Sequence, residues 1–142
     1  MNIRNIHNFE AKSEEEFLFI QNNLTNKIKL VNSFKEEDVN FCAGIDLAYW
    51  EKGEEHYGVC CIVVINYKTK EVAEKVYCYG KITTPYVAGF LAFRELPLIL
   101  ETVKKSILEP DIFIFDGNGY LHFNHMGIAT HASFFLNKPK IG

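Results

Sequence analysis

Residues 112–131 read IFIFDGNGYLHFNHMGIATH, and the fold turns on how this stretch is read. Four apolar residues, β-branched and aromatic, suit a short buried strand at 112–115, and Gly117 and Gly119 close it with a turn that bulkier residues resist. Asp116 thereby sits at the strand's carboxyl end. In α/β domains the carboxyl ends of buried strands open onto the crevices where ligands bind. Asp followed by Gly is also ordinary turn chemistry, so from this stretch alone Asp116 is either a turn cap or a functional carboxylate.

Working outward, residues 85–89 (PYVAG) break the preceding pattern. Leu96, Ile99, Leu100, Val103 and Ile107 then recur at helical spacing until Pro110. Pro97 is expected in the first turn of this helix, which puts Glu95 at or just before its N-terminus, where free amides and the helix dipole favour a carboxylate. A helix between strands makes a crossover, so the strand at 112–115 should lie parallel to an earlier one. Upstream, 40–47 reads as a strand with Phe41, Ala43 and Ile45 on one face and Asp46 on the other. Strands at 57–67 and 72–79 follow, joined by the short Lys68-Thr69-Lys70 turn of a hairpin. Ser13 and Glu16 have capping-box spacing, and Phe17, Ile20, Leu24 and Ile28 continue it as an amphipathic helix over 13–28, expected to cover one face of the sheet. A polar link at 32–38 joins that helix to the first strand, and a short helix at about 126–136 closes the chain. The expected architecture is a single α/β domain: three antiparallel strands, a crossover helix, a parallel strand and a second helix.

The chain has 142 residues, 48% apolar and 23% charged, proportions suited to one domain with a real core. No apolar run reaches the roughly 18 to 20 residues of a membrane span, and the first residues lack the apolar segment of a secretory signal; the expected location is the cytoplasm, with no membrane partner. The four cysteines fall in apolar segments without a C-x-x-C pair, which reads as small buried hydrophobes. A net charge of −3 argues against bulk polyanion binding, yet the charge is uneven. Residues 1–79 carry 9 basic and 13 acidic groups, and 80–142 carry 6 and 5. The second part is compatible with a phosphate-bearing ligand, particularly where a divalent cation offsets the acids.

With the first and fourth strands adjacent, Asp46 and Asp116 would converge and Glu95 would reach over from the crossover helix. Three carboxylates without counter-charge repel one another and raise one another's pKa, whereas a hard divalent cation makes the cluster favourable. Mg²⁺, or Mn²⁺ in its place, accepts a few carboxylate oxygens while keeping waters and binding substrate phosphates.

The segments FCAGIDLAYW (41–50), TTPYVAGFLAFRELP (83–97) and FDGNGYLHFNHMGIATH (115–131) resemble, in order, the three signature blocks of endonuclease V, a deoxyinosine-directed nuclease with an RNase H-like fold. The similarity continues through NKPKIG at 137–142. The resemblance implies a Mg²⁺-dependent endonuclease of DNA repair that cuts the second phosphodiester bond 3′ to inosine in DNA, with inosine-containing RNA as an alternative substrate. It assigns Asp46, Glu95 and Asp116 as catalytic metal ligands and Tyr86 as the aromatic wedge that separates strands at the lesion. Gly89, Gly117 and Gly119 would bring backbone against the base, and His122 and His131 match histidines near the metal or the phosphates, His122 also contacting substrate. Tyr86 alone could instead be a loop aromatic packed on its own turn, and either histidine a satisfied structural group; His7, His56 and His125 fall outside the assigned set.

This sequence departs from the family pattern at Ala88, at Asn118 and at Phe123-Asn124-His125, where the family commonly has proline, histidine, and a proline with basic residues. The wedge loop should be looser and some phosphate contacts absent. The family also continues beyond the segment matched by 137–142, with a further strand carrying a lysine near the site. The domain is therefore expected to be incomplete at its C-terminus, with the 112–115 strand left as an open edge prone to self-association. Two other classes of function remain alongside the nuclease: an inosine-binding module without turnover, and an incomplete fold that needs a partner.

Overall fold

A computed structural model describes residues 1–31 and 33–142; Asn32, the first residue of the expected polar link, lies outside them. The elements are helix α1 (Glu14–Thr25), strands β1 (Phe41–Lys52), β2 (Glu55–Asn66) and β3 (Val72–Ile82), helix α2 (Leu91–Val103), strand β4 (Ile112–Phe115), helix α3 (Ile128–Phe135) and strand β5 (Lys140–Ile141). They build one five-stranded mixed sheet in the order β3-β2-β1-β4-β5. β1, β2 and β3 are antiparallel neighbours, and β4 runs parallel to β1 from Cys42↔Ile112 to Ile45↔Phe115. Among the described residues no helix is long and apolar enough to cross a membrane.

The pleat sends alternate residues to opposite faces, and this segregates the core. Ala43 and Ile45 of β1, Cys60, Ile62 and Val64 of β2, and Phe113 and Phe115 of β4 are buried together with Leu96, Ile99, Leu100 and Val103 of α2 and Ala132 and Phe135 of α3. β1 and β2 extend further than their apolar runs, through Trp50 and Lys52, because a tight turn at Gly53 (φ +64°) keeps Lys52 paired with Glu55. The second hairpin turns where expected: the Asn66 side chain accepts from the Lys68 and Thr69 amides, each at 3.0 Å.

Four expectations need correction. First, α2 begins at Leu91, so Pro97 lies inside it and Glu95 is an interior helical residue. The stripe of Ala92, Phe93, Leu96 and Ile99 extends the helical period backwards, and its burial outweighs the preference of proline for a first turn. Second, α1 keeps its Ser13–Glu16 cap, with the Glu16 amide donating to Ser13 Oγ at 3.2 Å, but it ends at Thr25. Its Phe17 stacks on Phe93 at 4.4 Å and packs beside Phe90, placing α1 against the entry to α2 instead of a sheet face. Third, β4 is not an edge. β5 pairs with it in parallel register, Phe113↔Lys140 and Ile114↔Ile141, and itself takes the edge of the sheet. Fourth, Cys42 and Cys60 are buried but Cys61 is exposed, since consecutive residues of β2 face opposite ways.

Candidate active site at the ends of β1 and β4

β4 ends at Phe115, level with Ile45 of β1. Asp46 and Asp116 are the next residue of each parallel strand, so one step of register carries both carboxylates past the end of β4 together. Both are exposed, each directly after a buried residue. Glu95 comes from α2, which crosses over the sheet, and is 8% exposed. The three carboxylates line one small crevice whose walls are Ile45, Leu47, Ile99, Phe115 and Ile128.

Burial, more than any neighbour, pushes the Glu95 carboxyl above its ordinary pKa; the negative charges of Asp46 and Asp116 add to the rise, while a hydrogen bond from the Tyr49 hydroxyl and the charge of Arg94 oppose it. Tyr49 is raised in turn, by its own burial first and then by Glu95. The Arg94 guanidinium lies 4.8 Å from the Tyr49 ring centroid and donates to the Thr84 carbonyl at 3.0 Å. A chain of contacts thus runs from the loop before α2, through Arg94 and Tyr49, to Glu95.

An all-oxygen set of three carboxylates has the donor chemistry of a site for a hard divalent cation. As the side chains stand, Glu95 is engaged by Tyr49 and one Asp46 oxygen accepts from the Leu47 amide at 2.8 Å. Among the described residues no three His, Cys, Asp or Glu side chains form a closed ligand group. What the fold brings together is the three carboxylates along one crevice.

A family model of Endonuclease V matches residues 22–142. The chain belongs to the Endonuclease V family. It is 69% identical over 138 residues to Endonuclease V of Clostridium acetobutylicum, covering 97% of this chain and 59% of that relative. The crystal structure of Endonuclease V from Bacillus subtilis superposes with a TM-score of 0.93 at 58% identity, covering 99% of this chain and 59% of that one. Endonuclease V of Ciona intestinalis, crystallised with a 24mer DNA containing an inosine followed by a ribo-adenosine, gives a TM-score of 0.80 at 30% identity over 89% of this chain and 55% of that one. The sheet is thus the RNase H-like arrangement expected, and this chain spans about three-fifths of the length of these bacterial Endonuclease V relatives.

The remaining residues of the Endonuclease V blocks fall into two groups. Tyr86 is 65% exposed on the loop before α2. Gly89, on the same loop, has φ +89°, and a Cβ there would lie 2.2 Å from the Phe123 ring. Gly117 is held by packing, since a Cβ would meet Ile128 at 2.5 Å, whereas Gly119 would meet only ordinary contacts. His122 Nδ1 accepts from the Asn124 and Met126 amides at 3.0 and 3.3 Å, so Nε2 carries the proton and donates to the Gly89 carbonyl at 2.7 Å. Both ring nitrogens are therefore spent on backbone, and His122 braces one loop against the other.

His131 lies away from the crevice. It is fully buried, its Nε2 is 2.7 Å from His7 Nε2, and its Nδ1 has no partner. Burial is the main reason its pKa falls to about 3, with His7 and His122 adding to the fall. In this structure His131 is a core histidine paired with His7 and is not among the residues lining the crevice. His7, which the sequence left unassigned, is its partner.

Sequence reasoning missed Tyr49, Arg94 and Gln21. Gln21 is fully buried in α1, donating from Nε2 to the Gly89 carbonyl at 3.1 Å and accepting at Oε1 from Asn124 Nδ2 at 3.0 Å. Its position was a signal: a glutamine one helical turn after Phe17 and just before Leu24 interrupts an apolar stripe, and a buried amide needs partners. Tyr49 gave a similar one, sharing the alternation of Ile45 and Leu47 while carrying a hydroxyl.

Proposed function

We propose that this chain carries the carboxylate centre and base-recognition loops of a nuclease that recognises deoxyinosine, the product of adenine deamination, in DNA and hydrolyses the second phosphodiester bond 3′ to it, nicking the strand in repair. The observation that carries the reading is the single crevice shared by Asp46, Glu95 and Asp116. These three residues would hold Mg²⁺, or Mn²⁺ in its place. A bound divalent ion supplies charge neutralisation at the scissile phosphate and lowers the pKa of an attacking water. Asp46 and Asp116 would supply ligands from two strands of the sheet, and Glu95 one from α2. Tyr86 is the exposed aromatic that fills the gap left by an extruded base. Gly89, Gly117 and Gly119 supply close backbone, and His122 keeps the two glycine loops in register.

Inosine-containing RNA is a specific second reading, because the Ciona intestinalis relative was crystallised on a strand in which a ribo-adenosine follows the inosine. The nuclease is preferred to a pure binding module because a binding module has no use for three carboxylates in one crevice. This chain spans about three-fifths of the length of its bacterial relatives, so the test uses two proteins: this chain, and this chain followed by the remaining part of the Clostridium acetobutylicum relative. Mg²⁺-dependent cutting of inosine-containing over ordinary strands is expected of the longer protein, and much slower cutting of this chain alone. Asp116→Asn should abolish cutting while leaving the fold, since Asp116 is exposed and the change is nearly isosteric. Cleavage that persists in Asp116→Asn, or that ignores inosine, would overturn the proposal.

A further inference from the structure

We propose that Phe123 is a stacking contact for the base at the inosine position. The inference rests on the proposed function for the identity of the base. Its own support is geometric. Phe123 is 69% exposed, unusual for a ring held on several sides. One edge packs on Gly89 so closely that a Cβ there would be 2.2 Å from Cε1. Phe90 meets it edge-on at 6.1 Å and 87°, and the His122 ring lies 4.5 Å away.

A polar network centred on the buried Gln21 amide ties the loops beneath. The Gly89 carbonyl accepts from both Gln21 Nε2 and His122 Nε2, and Asn124, the residue after Phe123, donates to Gln21 Oε1. Phe123 is therefore an aromatic platform with little freedom left to lose, and a base laid on such a platform stacks at low entropic cost. The ring covers the side of Gly89 where a Cβ would stand, so a base brought to this loop lies beside Phe123. Asn124 adds no charge here, so the loop offers stacking where the family offers basic residues.

The test measures binding of this chain to short single strands, with and without one inosine, in Ca²⁺ to prevent turnover. Phe123→Leu, which keeps an apolar group over Gly89, should lose about tenfold in affinity for the inosine strand and little for the ordinary strand, the scale of one base–aromatic stack. Phe123→Tyr should restore it. Independently of folding effects in the leucine variant, Phe123→p-benzoylphenylalanine should photo-cross-link to the inosine nucleotide. Unchanged affinity in Phe123→Leu, equal loss on both strands, or a cross-link only to distant nucleotides would overturn the inference. Absence of any inosine preference in the unsubstituted chain would instead sink the proposed function.

Discussion

The Tyr49 hydroxyl donates to the Glu95 carboxylate, joining β1 to α2 at the crevice. Removing that donor leaves a buried carboxylate with Arg94 as its opposing charge and raises the Glu95 pKa further. Glu95 is already raised, so the stability it contributes is full below its unfolded pKa and is lost as pH rises through its folded one. Tyr49→Phe should enlarge that loss. The expected cost is about 2 kcal/mol at pH 7, the scale of a hydrogen bond to a charged group, shrinking towards pH 4. Urea midpoints of the two proteins at both pH values measure it; an equal difference at both would mean that the hydroxyl acts through packing alone.

Gln21→Ala removes a fully buried amide that serves two loops at once. The Gly89 carbonyl keeps His122, but Asn124 Nδ2 is left with only the longer contact to Asn22 at 3.3 Å. A loss of about 2 kcal/mol is expected, as for a buried group left unpaired. Hydrogen exchange should report faster opening at 122–126, with the β1–β2 hairpin unaffected.

Gly89→Ala meets two obstacles, a positive φ and the Phe123 ring. Combining it with Phe123→Ala relieves the collision and leaves the backbone cost, about 1 kcal/mol for a non-glycine residue in the left-handed region. The double variant should therefore be less destabilised than the sum of the singles. Additive losses in thermal unfolding would show that the ring moves aside freely.

The His131 pKa, held near 3 in the folded chain against an ordinary value of 6.5, makes the unfolded state the better proton acceptor between those values. Stability is therefore full above about pH 6.5 and falls with pH towards 3, at a limiting slope of about 1.4 kcal/mol per pH unit. His7, also lowered by burial, acts in the same sense. His131→Gln keeps a donor towards His7 without a titrating ring, so its stability should fall less steeply over this window. Parallel denaturation curves from pH 7 to pH 4 for the two proteins would exclude His131 as the cause.

Periodicity and turn chemistry fixed in advance what is local. The β4 run, the Lys68-Thr69-Lys70 turn, the Ser13 cap and the emergence of Asp116 were all legible because each depends on a few neighbouring residues. The crossover helix made the strand at 112–115 parallel to an earlier one, but that this neighbour is β1, which sets Asp46 beside Asp116, is decided by the sheet order. Tertiary structure alone decided the rest. Glu95 and Pro97 lie inside α2 because burial of Ala92 and Phe93 extends the helix against the local preference of proline. His131 became a core residue because His7, 124 positions away, closes over it. The roles of Gln21, His122 and Phe123 depend on three distant segments meeting at Gly89, a convergence that no local pattern encodes, because its energy comes from hydrogen bonds and packing formed only after the chain has collapsed.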